Sequence, residues 1–322
     1  MKTSFILKIA AAIVAVVLLI APALIAPVFA QNDQVIKLKA DLVTIDATVT
    51  DKDGNFIRNL KPEDFILYED DQQQQLEFFD ATEQASMTRP LAVVVAIDTS
   101  GSIKPEEIQR QREATENFIK LVRPESIFAV LAFNSEMRVL QDFTSDPRKI
   151  SQAFQKIGEA TGSSRIFGSI DRAVSMLKRA PRYRNNRRLR RVVIVLTDGY
   201  DNVSAPDQDD LIRRANDAEV TVYSITLPSY LPGAGSNKRM MTLLDVSRIV
   251  PNTGGADFSA DTRDFSPVFK AIAEEIRSSY TLAYYPSEKS RRDGRLHQLR
   301  VECRHSGAII RTSRTSYQMV TK

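Results

Sequence analysis

The hydrophobic and polar positions of this chain change their rhythm several times. From Ile9 to Ala30 the sequence is apolar and uncharged throughout. Between residues 35 and 80 the period is two. Val43, Ile45, Ala47 and Val49 alternate with Thr44, Asp46, Thr48 and Thr50, as in a strand with one buried face. Asp53-Gly54 marks a turn, and Phe56-Ile57 beyond it reads as the second arm of a hairpin. Phe65–Glu69 and Leu76–Phe79 read as further strands, joined by a polar loop over Asp70–Gln75. At Arg89-Pro90 the pattern changes. Leu91–Ile97 is an unbroken valine-rich run, suited to a strand covered by helices on both faces. Helices are then expected near 105–122, 147–158, 166–179, 206–218 and 240–248, and strands near 127–133, 138–143, 192–196, 220–227 and 256–259. Pro105, Glu106 and Glu107 suit a helix start. Ser229–Lys238 is a Pro/Gly-rich loop. Phe265, Val268, Phe269, Ile272 and Ile276 share one face of a last helix. After Tyr280 the period of two returns over Tyr280–Tyr285, Leu296–Cys303 and Ala308–Ser313, with turns at Asp293-Gly294 and Ser306-Gly307.

Strands alternating with helices predict an α/β fold over residues 89–279, Rossmann-like with a mostly parallel central sheet. The β tail over 280–322 is too short to hold a core alone. It is expected to pair with residues 31–88, so that the α/β domain is an insertion in a smaller, discontinuous, sandwich-like all-β domain. Residues 1–30 combine Lys2 and Lys8, an apolar middle, and small residues Val28 and Ala30 before polar Gln31, as in a secretory signal peptide. The apolar stretch is long enough to remain as an N-terminal membrane anchor, whereas Pro22 and Pro27 favour cleavage. Both alternatives place the rest of the chain outside the cytoplasm, periplasmic or extracellular, anchored through residues 9–30 if the leader is retained.

Length and composition narrow the chemistry. The chain has 322 residues, 43% hydrophobic and 26% charged, enough for about two domains. Its formal net charge is +4, of which Lys2 and Lys8 supply two, so the segment after Ala30 is near neutral and no nucleic-acid partner is expected. The single cysteine, Cys303, excludes a disulfide framework and a multi-cysteine zinc site, and its place in an alternating strand suggests a quiet thiol. Two histidines, His297 and His305, leave little room for histidine chemistry, so any metal site is expected to use oxygen ligands. The basic stretch Lys178–Arg191 reads as a solvated loop before a strand or as an anion-binding patch, with Tyr183 as its isolated aromatic.

The candidate chemistry sits at two strand ends. Leu91–Ile97 runs into Asp98-Thr99-Ser100-Gly101-Ser102, and the apolar run ending at Leu196 continues into Thr197-Asp198-Gly199. Ligands of open α/β sheets bind at the carboxyl ends of the strands. Asp98, Ser100 and Ser102 can turn three oxygens to one point, and two carboxylates brought together there repel without a cation between them. Oxygen ligands alone suit a hard divalent ion. The bland alternative is an N-cap cluster before the helix at Pro105. Asp201 and Asn202 read as turn residues. No Gly-x-Ser-x-Gly elbow or Walker loop is present, and phosphatases with an aspartyl nucleophile carry a second aspartate where this chain has Ser100, so no enzyme activity is expected.

An apolar strand ending in Asp-x-Ser-x-Ser, followed by one ending in Thr-Asp-Gly, resembles the metal-ion-dependent adhesion site of the von Willebrand factor type A fold. The resemblance covers residues 89–279. It implies Asp98, Ser100 and Ser102 as ligands, directly or through water, with Asp198 as the later aspartate. A threonine of a middle loop completes the family's site. Gly162-Ser163-Ser164-Arg165 resembles that loop and puts Ser164 at the position, with Thr161 as the lesser candidate. The implied cofactor is a divalent cation, Mg²⁺ first and Ca²⁺ or Mn²⁺ as alternatives. The implied partner is a protein whose acidic side chain completes the metal shell. The alternatives are a structural or assembly element with a vestigial site, and a metal-dependent hydrolase. Val49–Gly54, Glu63-Asp64-Phe65 and Tyr284-Tyr285-Pro286 add a similarity to exported bacterial proteins related to von Willebrand factor A.

Overall fold

The computed structural model describes residues 42–81, 89–122, 124–198, 206–227, 248–259 and 265–319. The leader over 1–30, the loop Ser229–Lys238, Asp201, Asn202 and nearly all of the helix expected near 240–248 lie outside the described residues. Among the described residues no helix is long and apolar enough to cross a membrane.

Four strands come first: β1 (Val43–Thr50), β2 (Phe65–Glu69), β3 (Gln72–Gln74) and β4 (Phe78–Ala81). The α/β unit follows with β5 (Leu91–Asp98), α1 (Pro105–Leu121), β6 (Ile127–Phe133), β7 (Met137–Thr144), α2 (Pro147–Gln155), α3 (Ile166–Arg179), the small hairpin β8 (Tyr183–Arg184) and β9 (Arg187–Arg188), and β10 (Arg190–Thr197). It continues through α4 (Gln208–Asp217), β11 (Val220–Thr226), α5 (Ile249–Asn252), β12 (Asp257–Ser259) and α6 (Ser266–Arg277). The chain closes with β13 (Tyr280–Tyr284), α7 (Glu288–Arg292), β14 (Leu296–Cys303), β15 (Ile309–Thr312) and β16 (Ser316–Gln318).

The central sheet has the order β12-β11-β10-β5-β6-β7, parallel throughout except for the edge pair β6–β7. The apolar runs Leu91–Ile97 and Val192–Leu196 are fully buried because helices cover both faces. One face packs under α1, α2 and α6 through Phe118, Phe154 and Phe269; the other packs under α3, α4 and α5 through Ile170, Leu211 and Ile249. The sheet grows outward from β5 in both directions, so the chain reverses between β5 and β10. Such a reversal, at the carboxyl ends of these two strands, is where open α/β sheets bind ligands.

The strands on either side of this unit pair with each other. One antiparallel sheet has the order β15-β1-β13-β4 and a second β16-β14-β2-β3. Ile45, Leu67, Leu282, Val301 and Tyr317 belong to the single core shared by the two sheets, the sandwich-like arrangement expected. The polar face of β1 is not solvated. Thr44 and Thr48 are buried, and Asp46 is nearly so, because this face meets the amino ends of the central strands. There Asp46 takes a 2.8 Å ion pair from Arg89 and lies 3.5 Å from Arg190, while Thr281 Oγ1 donates to it at 2.8 Å. Arg188 bonds Thr44 and pairs with Glu219, and Arg190 donates to Ser279 Oγ at 2.6 Å.

Several expectations need correction. The Asp53-Gly54 turn forms, with Gly54 at φ +84, but its second arm is only an isolated bridge from Thr50 to Phe56. The chain instead bends so that Leu60 is buried and its N–H donates to Tyr280 Oη. The polar loop Asp70–Gln75 contains β3. Asp70 and Asp71 both take positive φ, giving a tight hairpin turn without glycine. Asn185 and Asn186 do the same between β8 and β9. The basic stretch is not one solvated loop: Lys178, Arg179, Arg182 and Arg187 are exposed, but Arg190 and Arg191 are buried, Arg191 donates to the Ala218 carbonyl, and Arg188 and Arg190 reach Thr44 and Asp46 on β1.

Burial works to raise the Asp46 carboxyl, but the guanidiniums of Arg89 and Arg190 outweigh it and hold the group below its ordinary value of 3.8. Its stabilisation is therefore complete above that value and fades as pH falls through the lower, folded value. Asp46→Asn should cost about 3 kcal/mol at neutral pH, because it removes the carboxylate that pairs with both Arg89 and buried Arg190. Urea denaturation at pH 7 and pH 3 should show a shallower acid loss in the variant than in the parent.

Candidate metal centre

The crevice between β5 and β10 gathers the predicted site residues. Asp98 ends β5, fully buried, and three donors fill most of its acceptor positions. The Ser100 N–H donates to Oδ1 at 2.8 Å, and Ser164 Oγ and Thr197 Oγ1 each donate to Oδ2 at 2.7 Å. The intervening Thr99 turns back to the sheet, with Oγ1 donating to the Phe133 carbonyl at 3.0 Å. This alternation sets Ser100 and Ser102 on the side of Asp98, their hydroxyls 3.2 Å apart. Ser102 is exposed, and its hydroxyl lies close enough to the Asp198 carboxylate of the opposite strand end to work against the rise of that group's pKa.

The middle loop is tied to the first by its backbone. The Gly101 N–H donates to the Gly162 carbonyl at 3.2 Å, and the Thr161 N–H donates to the Thr99 carbonyl at 3.0 Å. Gly162 takes φ +78 with Ser135 close by, a conformation that suits glycine. This turn drives Ser164 inward to Asp98. Thr161 meets the first loop through its backbone N–H, so Ser164 is the residue whose hydroxyl enters the crevice.

Two residues went unrecognised in the sequence. Thr197 precedes Asp198 in the Thr-Asp-Gly run yet holds Asp98 rather than simply ending a strand. Glu107 is buried in the first turn of α1, where it accepts from the Lys104 N–H at 3.0 Å, and its charge reaches Asp198. The Asp198 carboxyl is raised first by burial and further by the charges of Asp98 and Glu107, with the Ser102 hydroxyl working against the rise. Carboxylates and hydroxyls brought together in this way, with no nitrogen or sulfur side-chain donor among the described residues of the site, are a donor set for a hard divalent cation.

The family model of the von Willebrand factor type A domain matches residues 92–262. No curated protein matches the chain. Among solved structures, an aerotolerance-related membrane protein from Bacteroides fragilis is 18% identical, with TM-score 0.44 over 58% of this chain and 98% of that one. A von Willebrand factor type A protein from Catenulispora acidiphila is 14% identical, with TM-score 0.48 over 80% of this chain and 74% of that one. Proximal thread matrix protein 1 from mussel byssus, with a zinc-occupied metal-ion-dependent adhesion motif, is 16% identical, with TM-score 0.47 over 58% of this chain and 48% of that one.

Ser164 and Thr197 share one oxygen of a buried carboxylate. In chelator, Ser164→Ala and Thr197→Val should each lower stability by about 1–2 kcal/mol. The double variant should lose more than the sum of the two, because it leaves that oxygen without a donor. Urea denaturation of the four proteins measures the coupling, and strict additivity would contradict the shared geometry.

Proposed function

Because the chain belongs to the von Willebrand factor type A domain family, we propose that it is an exported binding protein whose crevice holds a divalent metal completed by a partner's carboxylate. Domains of this family commonly bind a divalent metal. The observation that carries the reading is the convergence of Asp98, Ser100, Ser102, Ser164 and Asp198 at one switch point of the sheet. Asp98, Ser100, Ser102 and Asp198 would supply oxygens to the ion, directly or through water. Ser164 would take the threonine role, with the same hydroxyl on one carbon fewer. Oxygen ligands favour Mg²⁺, with Mn²⁺ and Ca²⁺ as alternatives.

Adhesion fits this edge better than catalysis. The Ser164 and Thr197 hydroxyls are both spent on one oxygen of Asp98, which orients that carboxylate as a ligand. A hard ion held at this edge beside exposed Ser102 could accept one more oxygen, and an acidic side chain on a partner protein is the natural donor. The signal-like leader supports a partner in the periplasm or outside the cell.

Titration calorimetry should show saturable Mg²⁺ binding that Asp98→Ala abolishes. Ser164→Thr should retain affinity, and Ser164→Ala should lose roughly tenfold, the scale of removing one supporting group from a metal site. In affinity capture from a cell-envelope extract, the wild-type chain should retain partners in Mg²⁺ and release them in chelator. Equal capture by Asp98→Ala, indifferent to chelator, would sink the proposal.

A further inference from the structure

A second cluster lies in the sandwich, on β2 and β14. His297 is buried, and both ring nitrogens face carboxylates. Nε2 lies 3.1 Å from Asp293 Oδ1, while Nδ1 lies 2.7 Å from Asp70 Oδ2 and 3.5 Å from Glu69 Oε1. Each nitrogen carries at most one proton, so on the Nδ1 side a single proton would face two carboxylates. An ordinary histidine–aspartate pair accounts for Asp70. It leaves over Glu69, which is only 4% exposed, with Oε1 accepting from Tyr317 and the Tyr284 hydroxyl nearby.

We propose that Glu69, Asp70 and the Nδ1 of His297 bind a divalent transition-metal ion of the zinc class. Their ligand atoms lie within 4.8 Å of one another. The 2.7 and 3.5 Å separations bracket the roughly 3.3 Å between ligand atoms around a tetrahedral zinc. Every ligand is braced from behind. Asp293 on Nε2 fixes the tautomer that frees Nδ1, the arrangement by which carboxylates orient metal-binding histidines. Tyr317 stacks on the imidazole at 5.2 Å and donates to Glu69 Oε1 at 2.7 Å. The Gln298 N–H holds the other oxygen of Asp70 at 2.9 Å. An adjoining cavity of about 190 Å³, lined also by Gln72 and Ser290 with Lys289 and Arg295, leaves room for a further ligand. The imidazole separates this site from the oxygen-only crevice, because it favours zinc over Mg²⁺. Bound there, the ion would join chain preceding the α/β unit to chain following it.

The test uses tag-free full chain carrying Asp98→Ala, which silences the first site, titrated with Zn²⁺ in excess Mg²⁺. Uptake of one equivalent and a higher thermal midpoint are expected. Glu69→Gln keeps the Asp70–His297 pair and an oxygen for Tyr317, yet should weaken Zn²⁺ binding roughly tenfold or more. His297→Asn should do the same, and His305→Ala and Cys303→Ser should leave binding intact. No saturable uptake overturns the proposal, as does unchanged affinity in both Glu69→Gln and His297→Asn, or loss of binding on removing His305 or Cys303. Mg²⁺ binding at the crevice is read on the chain with Asp98 in place, so failure at one site is distinguishable from failure at the other.

Discussion

The structure turns on one nearly buried carboxylate. The α/β unit leaves the sandwich after β4 and returns into β13, and β13 pairs with both β4 and β1. Departure and return must therefore lie side by side. Asp46, on β1, sits at that place. It meets Arg89 where the chain arrives, Arg190 where β10 begins, and Thr281 just after the chain leaves. Desolvating one carboxylate and one guanidinium costs several kcal/mol each, and this geometry recovers the cost only while the partners stay in register. The same requirement that makes the node expensive makes it specific: an apolar joint would tolerate sliding, whereas this one does not.

The node and the crevice are opposite ends of the same two strands. β5 runs from Leu91, paired with Arg190, to Asp98; β10 runs from Arg190 to Thr197, next to Asp198. Each spans about 25 Å at ordinary strand rise. Neither aspartate can shift along its strand without disturbing a fully buried row of valine, isoleucine and leucine. The site is preorganised by packing, and its own hydrogen bonds only orient side chains already in place. The close fit recurs within the unit at Gly255 and where the sandwich meets it at Gly254. A Cβ on Gly255 would lie 1.9 Å from the Val222 carbonyl, and one on Gly254 2.3 Å from that of Thr312.

The parts of this architecture legible in the sequence are those with local signatures. Fully apolar runs marked β5 and β10, the period of two marked β1, and Asp98-x-Ser100-x-Ser102 stood at a strand end where its geometry could be inferred. The unread parts depend on partners far along the chain. Nothing near Arg188 or Arg190 announces that β1, some 144 residues earlier, awaits them, so charge density alone suggested a surface. His297 meets Asp70 across 227 residues, and a lone histidine among few gave no hint of it. The hairpins at Asp70-Asp71 and Asn185-Asn186 were hidden for another reason. Their left-handed turns use polar residues in place of the glycine that usually betrays them.

The parallel pairing of β5 with β10 also has a mechanical side. A pull on something held at the crevice, resisted at β1, is directed along these strands and not across them. The backbones of both strands would then carry the load side by side in tension, and the seven registered pairs from Arg190–Leu91 to Leu196–Ile97 would not open one after another like a zipper. The tension leaves the strands through Arg89 and Arg190 into Asp46. A carboxylate that serves the resting fold as a register mark would serve a stretched one as its anchor bolt.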